Sequence, residues 1–170
     1  MNVIEKYIEK ENWAKARNEI RKELKTDKDN HWLITRLGLT FYEEKEYKRA
    51  LHYSEKAKKL APNCPLVLWD YAGTLDMLGK EKEAIKVFQK IINKGIEEIA
   101  YGECGEGIRW AKALYADCFY RLALSYLRIG QKRKAKENFE KHFVNRGRGI
   151  PSIYKINEVK KKYKKLLNAI

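Results

Sequence analysis

Apolar side chains recur three and four residues apart along much of the chain: Leu33, Leu37 and Phe41; Leu68, Tyr71, Leu75 and Leu78; Leu122, Tyr126 and Ile129. With about 3.6 residues per helical turn, that spacing lays an apolar stripe along one side of an α-helix. The stripes predict helices at 3–10, 13–25, 31–43, 47–60, 65–78, 81–93, 108–129, 132–145 and 156–168. Asp29 or Asn30 is placed to cap the third helix and Asn63 the fifth, while the first shows no capping residue. Pro65 suits the first turn of its helix. Gly102, Gly105 and Gly107 predict a loop, with Glu106 positioned to cap the helix that follows. That helix would extend about 33 Å at about 1.5 Å per residue, long for one member of a pair. The last helix is expected to dock through Val159, Tyr163, Leu166 and Leu167.

The pairs are copies of one another. Ala16, Ala50 and Ala84 stand 34 residues apart, and Ala135 lies 51 beyond Ala84, a further 34 with 17 inserted. Twelve residues before these anchors stand Ile4, Gly38, Ala72 and Ala123; nine before them stand the large Tyr7, Phe41, Leu75 and Tyr126. Four residues after them stand Ile20, Ser54, Phe88 and Phe139, and Gly79 and Gly130 mark turns five residues ahead of two anchors. A single helical hairpin cannot bury its own apolar face, whereas stacked hairpins share one continuous core. A strict internal period is therefore a statement about packing.

These columns resemble the tetratricopeptide repeat. Arg36-Leu37-Gly38-Leu39-Thr40-Phe41-Tyr42 is similar to its first-helix signature, and Ala50, Ser54, Ala57 and Pro62 follow its second half, with Ser54 where an aromatic is usual. The resemblance implies an all-α fold: one domain over 1–170, a right-handed superhelix of about four helix hairpins. The repeats would lie near 1–30, 31–64, 65–95 and 116–149, with an insertion at 96–115 and a C-terminal capping helix within 151–170. It also implies a concave groove lined by the first helix of each pair. Carried over by column, the groove would hold Trp32, Arg36, Tyr42, Trp69, Asp70, Tyr120, Arg121, Leu124 and Arg128. Trp110 lies on the same stripe as Leu124, two heptads earlier, and would add to the wall. Aromatics and arginines are the residues interface hot spots favour. The implied partner is another protein or peptide, acidic ones included, met by Arg36, Arg121 and Arg128. The family's carboxylate clamp is not expected, because Asp117, Asp70 and Gly73 occupy columns where it needs other side chains. Asp117 and Arg121, one turn apart, would pair with each other.

Charge alters this picture at one end only. The net charge is +14, and residues 131–170 carry thirteen Lys or Arg against three Glu, leaving +4 for the remainder. Lys160, Lys161, Lys162, Lys164 and Lys165, with Arg146 and Arg148, form a basic patch able to meet nucleic acid or another anionic surface as the second reading. Self-association through an exposed end of the array is a further expectation.

The residues offer little to catalysis. His31, His52 and His142 are scattered, and Cys64, Cys104 and Cys118 are odd in number with no Cys-x-x-Cys spacing. No metal site, cofactor or enzymatic activity is expected. The glycines at 102–107 do not follow a phosphate-loop spacing and bring two Glu with them. Without a signal-like leader or an apolar run of about 18 residues, a cytoplasmic protein is expected.

Overall fold

The computed structural model describes residues 2–147 and 149–169; Arg148, counted above in the basic end, lies outside them. All regular structure among the described residues is α-helical: α1 (Val3–Glu9), α2 (Trp13–Glu23), α3 (His31–Glu43), α4 (Tyr47–Leu60), α5 (Pro65–Met77), α6 (Glu81–Tyr101), α7 (Ile108–Arg128), α8 (Lys132–Arg146) and α9 (Ile156–Leu167). None of these helices is long and apolar enough to cross a membrane.

The chain divides into two compact units, Met1–Leu78 and Gly79–Ile170. In the first, α1 pairs with α2, α3 pairs with α4, and α5 packs on both α3 and α4. In the second, α6 packs on α7, α7 pairs with α8, and α9 closes the unit against α8. The helices read as a third pair therefore fall in different units, α5 in the first and α6 in the second.

The repeat columns are the core. Ala16, Ala50, Ala84 and Ala135 are each fully buried, as are Ile4, Ala72 and Ala123 from the companion column. Gly38 shows why that column is small: a Cβ there would stand 3.3 Å from the Cβ of Tyr53 on α4. Phe41, one turn later, stacks on Tyr53 at 5.3 Å, with the guanidinium of Arg49 4.0 Å and that of Arg17 5.0 Å from its ring centre. Ile4, Ile20, Leu33 and Leu37 complete this cluster, with Trp32, Tyr42 and Tyr53 packed partly buried against it.

The helix ends depart from expectation in several places. Asn2 caps α1 by accepting from the Ile4 N–H at 2.9 Å, so the first helix is capped after all. Asn30, of the two candidates, caps α3 through the Leu33 N–H. Cys64, and not Asn63, is the N-cap of α5, with Pro65 opening the helix as expected. Helix α6 does not stop at Asn93: Gly95, at φ 74° and ψ 162°, breaks the spiral locally, and helix resumes to Tyr101 with Ile99 and Ala100 buried. Only a residue without a Cβ enters that region without strain, so the break falls on the glycine. Ahead of α7 the cap position is Gly107, and no side chain, Glu106 included, caps it. On α9, Val159 and Leu166 are buried and Tyr163 partly so, but Leu167 is 44% exposed and does not dock.

Truncating Phe41 to Ala should leave an unfilled space between Tyr53 and the two guanidinium groups and cost about 3–5 kcal/mol. Urea unfolding followed by circular dichroism would show this as a fall in midpoint.

Candidate peptide-binding faces

In the first unit the column residues lie on α3 and α5. Trp32 is partly buried on the core cluster, and the Arg36 guanidinium lies 5.4 Å from its ring centre. Arg36 was expected to meet a ligand's acidic group. Its Nε instead donates to Oε1 of Glu5 at 2.7 Å, because α1 lays that carboxylate beside α3. Tyr42 is partly buried and meets Tyr47 edge-on at 5.5 Å. Trp69 and Asp70, neighbours on α5, are both partly buried.

Asp70 has the most unusual surroundings on this face. Its Oδ2 is buried and has no hydrogen-bond partner. Burial raises its carboxyl to about 7; Arg36 pulls the other way, and Glu43 adds to the rise. Glu43 is itself raised, by burial first and then by Glu11. With Arg36 already engaged by Glu5, the acids on this face outweigh the cation available to them. An unfilled acceptor in low dielectric is a position where an incoming donor gains more than it would in water.

In the second unit the column residues lie on α7. Trp110, Arg121 and Leu124 are partly buried and Arg128 is exposed. The Arg121 guanidinium stands 5.7 Å from the ring centre of Phe88 on α6. Tyr120 corrects the expectation of a groove anchor: it is 3% exposed. Phe139 and His142 from α8 and Tyr154 from the following strap enclose its ring, the last at 4.4 Å. The repeat columns alone do not include that strap, so they leave Tyr120 on a surface that the chain itself covers.

Asp117 also has a role that its helical spacing does not predict. Oδ1 accepts from Ser152 Oγ at 2.6 Å and Oδ2 from the Ile153 N–H at 3.1 Å. The carboxylate thus fastens the strap between α8 and α9. Burial raises its pKa, and the two hydrogen bonds, His142 and Arg146 oppose that rise. His142 is fully buried, with Nδ1 2.8 Å from the carbonyl oxygen of Ala116 and 3.9 Å from Asp117 Oδ1. Burial lowers its pKa, so the neutral ring donates from Nδ1 to Ala116. Neither His142 nor Ser152 stands out in the sequence, because their contacts span 26 and 35 residues without periodicity.

Lys160, Lys161, Lys162, Lys164 and Lys165 are all exposed on α9. The helix is held to α8 by Tyr163, whose hydroxyl donates to Glu140 at 2.7 Å, and by Lys132, which donates to the Ala169 carbonyl at 2.6 Å.

Two segments match the tetratricopeptide repeat family, residues 33–64 and residues 117–141. No curated protein matches the sequence. Among solved structures, MamA 41-end from Desulfovibrio magneticus RS-1 superposes with a TM-score of 0.68 at 16% identity, covering 98% of this chain and 86% of that one. Another structure of MamA gives 0.63 at 22% identity, covering 99% and 94%. The N-terminal domain of stress-induced protein-1 from C. elegans gives 0.60 at 19% identity, covering 82% and 95%. At these identities the likeness is one of fold.

Two outcomes follow from the buried acids. The folded chain keeps the Asp70 proton up to about pH 7, whereas the unfolded chain releases it near 3.8. That contribution to stability is complete below the lower value and is lost as pH rises through the upper one. Asp70→Asn should therefore melt higher than the parent at about pH 8, with the gap closing by about pH 4. Asp117→Ala leaves the Ser152 hydroxyl and the Ile153 amide without their acceptor and should cost about 1–3 kcal/mol. Hydrogen exchange should quicken first in the strap and α9.

Proposed function

We propose, from the premise that this is a tetratricopeptide-repeat protein, that it is a scaffold whose first-helix faces hold an extended or helical segment of another protein. The observation that carries the reading is the face of α3 and α5 in the first unit. Trp32 and Trp69 offer partly open aromatic surface, and Asp70 offers a buried carboxylate oxygen with no partner. Aromatic area gives affinity, and an unfilled acceptor gives orientation, since only a segment that brings a donor there satisfies it.

The charges on this face also set what it prefers. Arg36 is engaged by Glu5, while Asp70 keeps an unfilled oxygen, ionising from about pH 7, and Glu43 adds a second carboxyl nearby. The first unit therefore favours a segment presenting Lys, Arg or free backbone N–H groups over the acidic segment that the arginine count suggests. On α7 of the second unit, Trp110, Arg121, Leu124 and Arg128 form a separate face of mixed apolar and cationic character. Tyr120 has no part in it, being enclosed within the unit.

Panning a random peptide library on the chain should select segments with a basic residue beside an apolar one. Trp69→Ala should weaken a selected peptide by about 2 kcal/mol, roughly thirtyfold, when measured by fluorescence anisotropy. Asp70→Asn should remove the preference for the basic residue while leaving apolar binding. Undiminished affinity in both variants would move the binding face away from α5.

A further inference from the structure

We infer that α9 is a nucleic-acid-binding element, which lies along a duplex groove and contacts phosphates through its lysines without reading sequence. The starting point is what α9 does with its two sides. Its apolar side is committed to the fold: Val159 and Leu166 are buried, and Tyr163 packs against Phe139 and Phe143 at 5.6 and 5.4 Å. Its other side carries Lys160, Lys161, Lys162, Lys164 and Lys165, all exposed and, among the described residues, all without an ion-pair partner. The single acid of the helix, Glu158, forms no ion pair either among the described residues. On α8, Glu137 faces Arg133, and Glu140 faces Lys136 and Tyr163.

This arrangement works against the helix alone. Lys160 with Lys164 and Lys161 with Lys165 are like charges one turn apart, an arrangement that destabilises an isolated helix. Tertiary contacts hold the helix in spite of that: Asp117 on the strap, Glu140 on Tyr163, and Lys132 on the Ala169 carbonyl. The lysines are therefore presented on a fixed helix.

The distribution of charge favours a grooved polyanion. Asn157, Lys161, Lys164 and Asn168 follow one another at spacings of four, three and four, and so form the outward midline. Lys160 and Lys162 sit on opposite flanks of that line, since neighbouring helical positions turn by about 100° each. A helix with cations along its midline and on both flanks suits a major groove about 12 Å wide, whose two walls are rows of phosphates. A bilayer is the poorer match, because interfacial helices insert their apolar side and this one has used it in folding. Lysines are point charges without Arg's fork, and the nearby aromatics are packed inward, so binding should be tolerant of sequence.

The test uses the full chain, a fluorescein-labelled short DNA duplex in two unrelated sequences, and anisotropy across about 50–200 mM salt. Affinity should fall with a logarithmic slope of about −3 to −5 and differ little between the sequences. The triple variant Lys161→Gln, Lys164→Gln, Lys165→Gln should bind at least tenfold more weakly and flatten the slope by about 2–3. The matching triple Lys→Arg variant should restore both. A control triple in the first unit, Lys10→Gln, Lys28→Gln, Lys48→Gln, removes the same charge and should change affinity by less than twofold. Circular dichroism checks that every variant is folded. Equal losses in the two Gln triples would reduce the effect to net charge and overturn the proposal. So would a flat salt response, absent DNA binding with capture by phosphatidylserine vesicles, or more effective competition by a poly-glutamate peptide than by unlabelled duplex.

Discussion

How closely two helices approach is set by the smallest side chain between them, and in this protein that side chain is a methyl group or less. Ala16, Ala50, Ala84 and Ala135 occupy one register of the repeat and are wholly buried, as are Ala72 and Ala123 in the companion register. Where Gly38 takes the companion place, a Cβ would reach 3.3 Å from its neighbour across the pair. Close approach at these points lets the larger residues one turn away, Phe41, Leu75 and Tyr126 among them, pack against the facing helix. A bulkier residue in the small column would separate a pair of helices and leave those side chains without neighbours, and core packing tolerates little of that.

Much of this was open to reading because it is local or periodic. Helix positions follow from apolar spacing, and the turn at Gly130 or the cap at Asn30 follows from residues a few places away. The errors share a different cause. The repeat column points Arg36 toward a ligand, but its partner in the fold, Glu5, lies 31 residues earlier on another helix. The repeat pattern places Tyr120 at the surface because it stops short of the strap that covers it. The apolar spacing of α6 fades at Asn93, yet one positive-φ residue, Gly95, interrupts that helix without ending it. Each time the missing information was a contact between distant segments, which periodicity does not carry.

The two units also divide the chemistry. On the first, the column residues of α3 and α5 combine aromatic surface with carboxylates that burial makes reluctant to ionise. On the second, α9 concentrates lysines that the fold leaves in water. A chain with net charge +14 thus has a face short of cationic partners, and total charge is a poor guide to what each surface prefers.

The clasp formed by Asp117 has a consequence for the order in which the chain assembles. Its partners, Ser152 and Ile153, lie 35 and 36 residues further along, whereas the helix pairs close through turns of a few residues. Loop closure over the longer span costs more entropy, so the clasp gains from having α7 already docked on α8. During synthesis the lysine-bearing segment would leave the ribosome after the rest of its unit, as a self-repelling coil, and would become helical only once that unit offers it a floor.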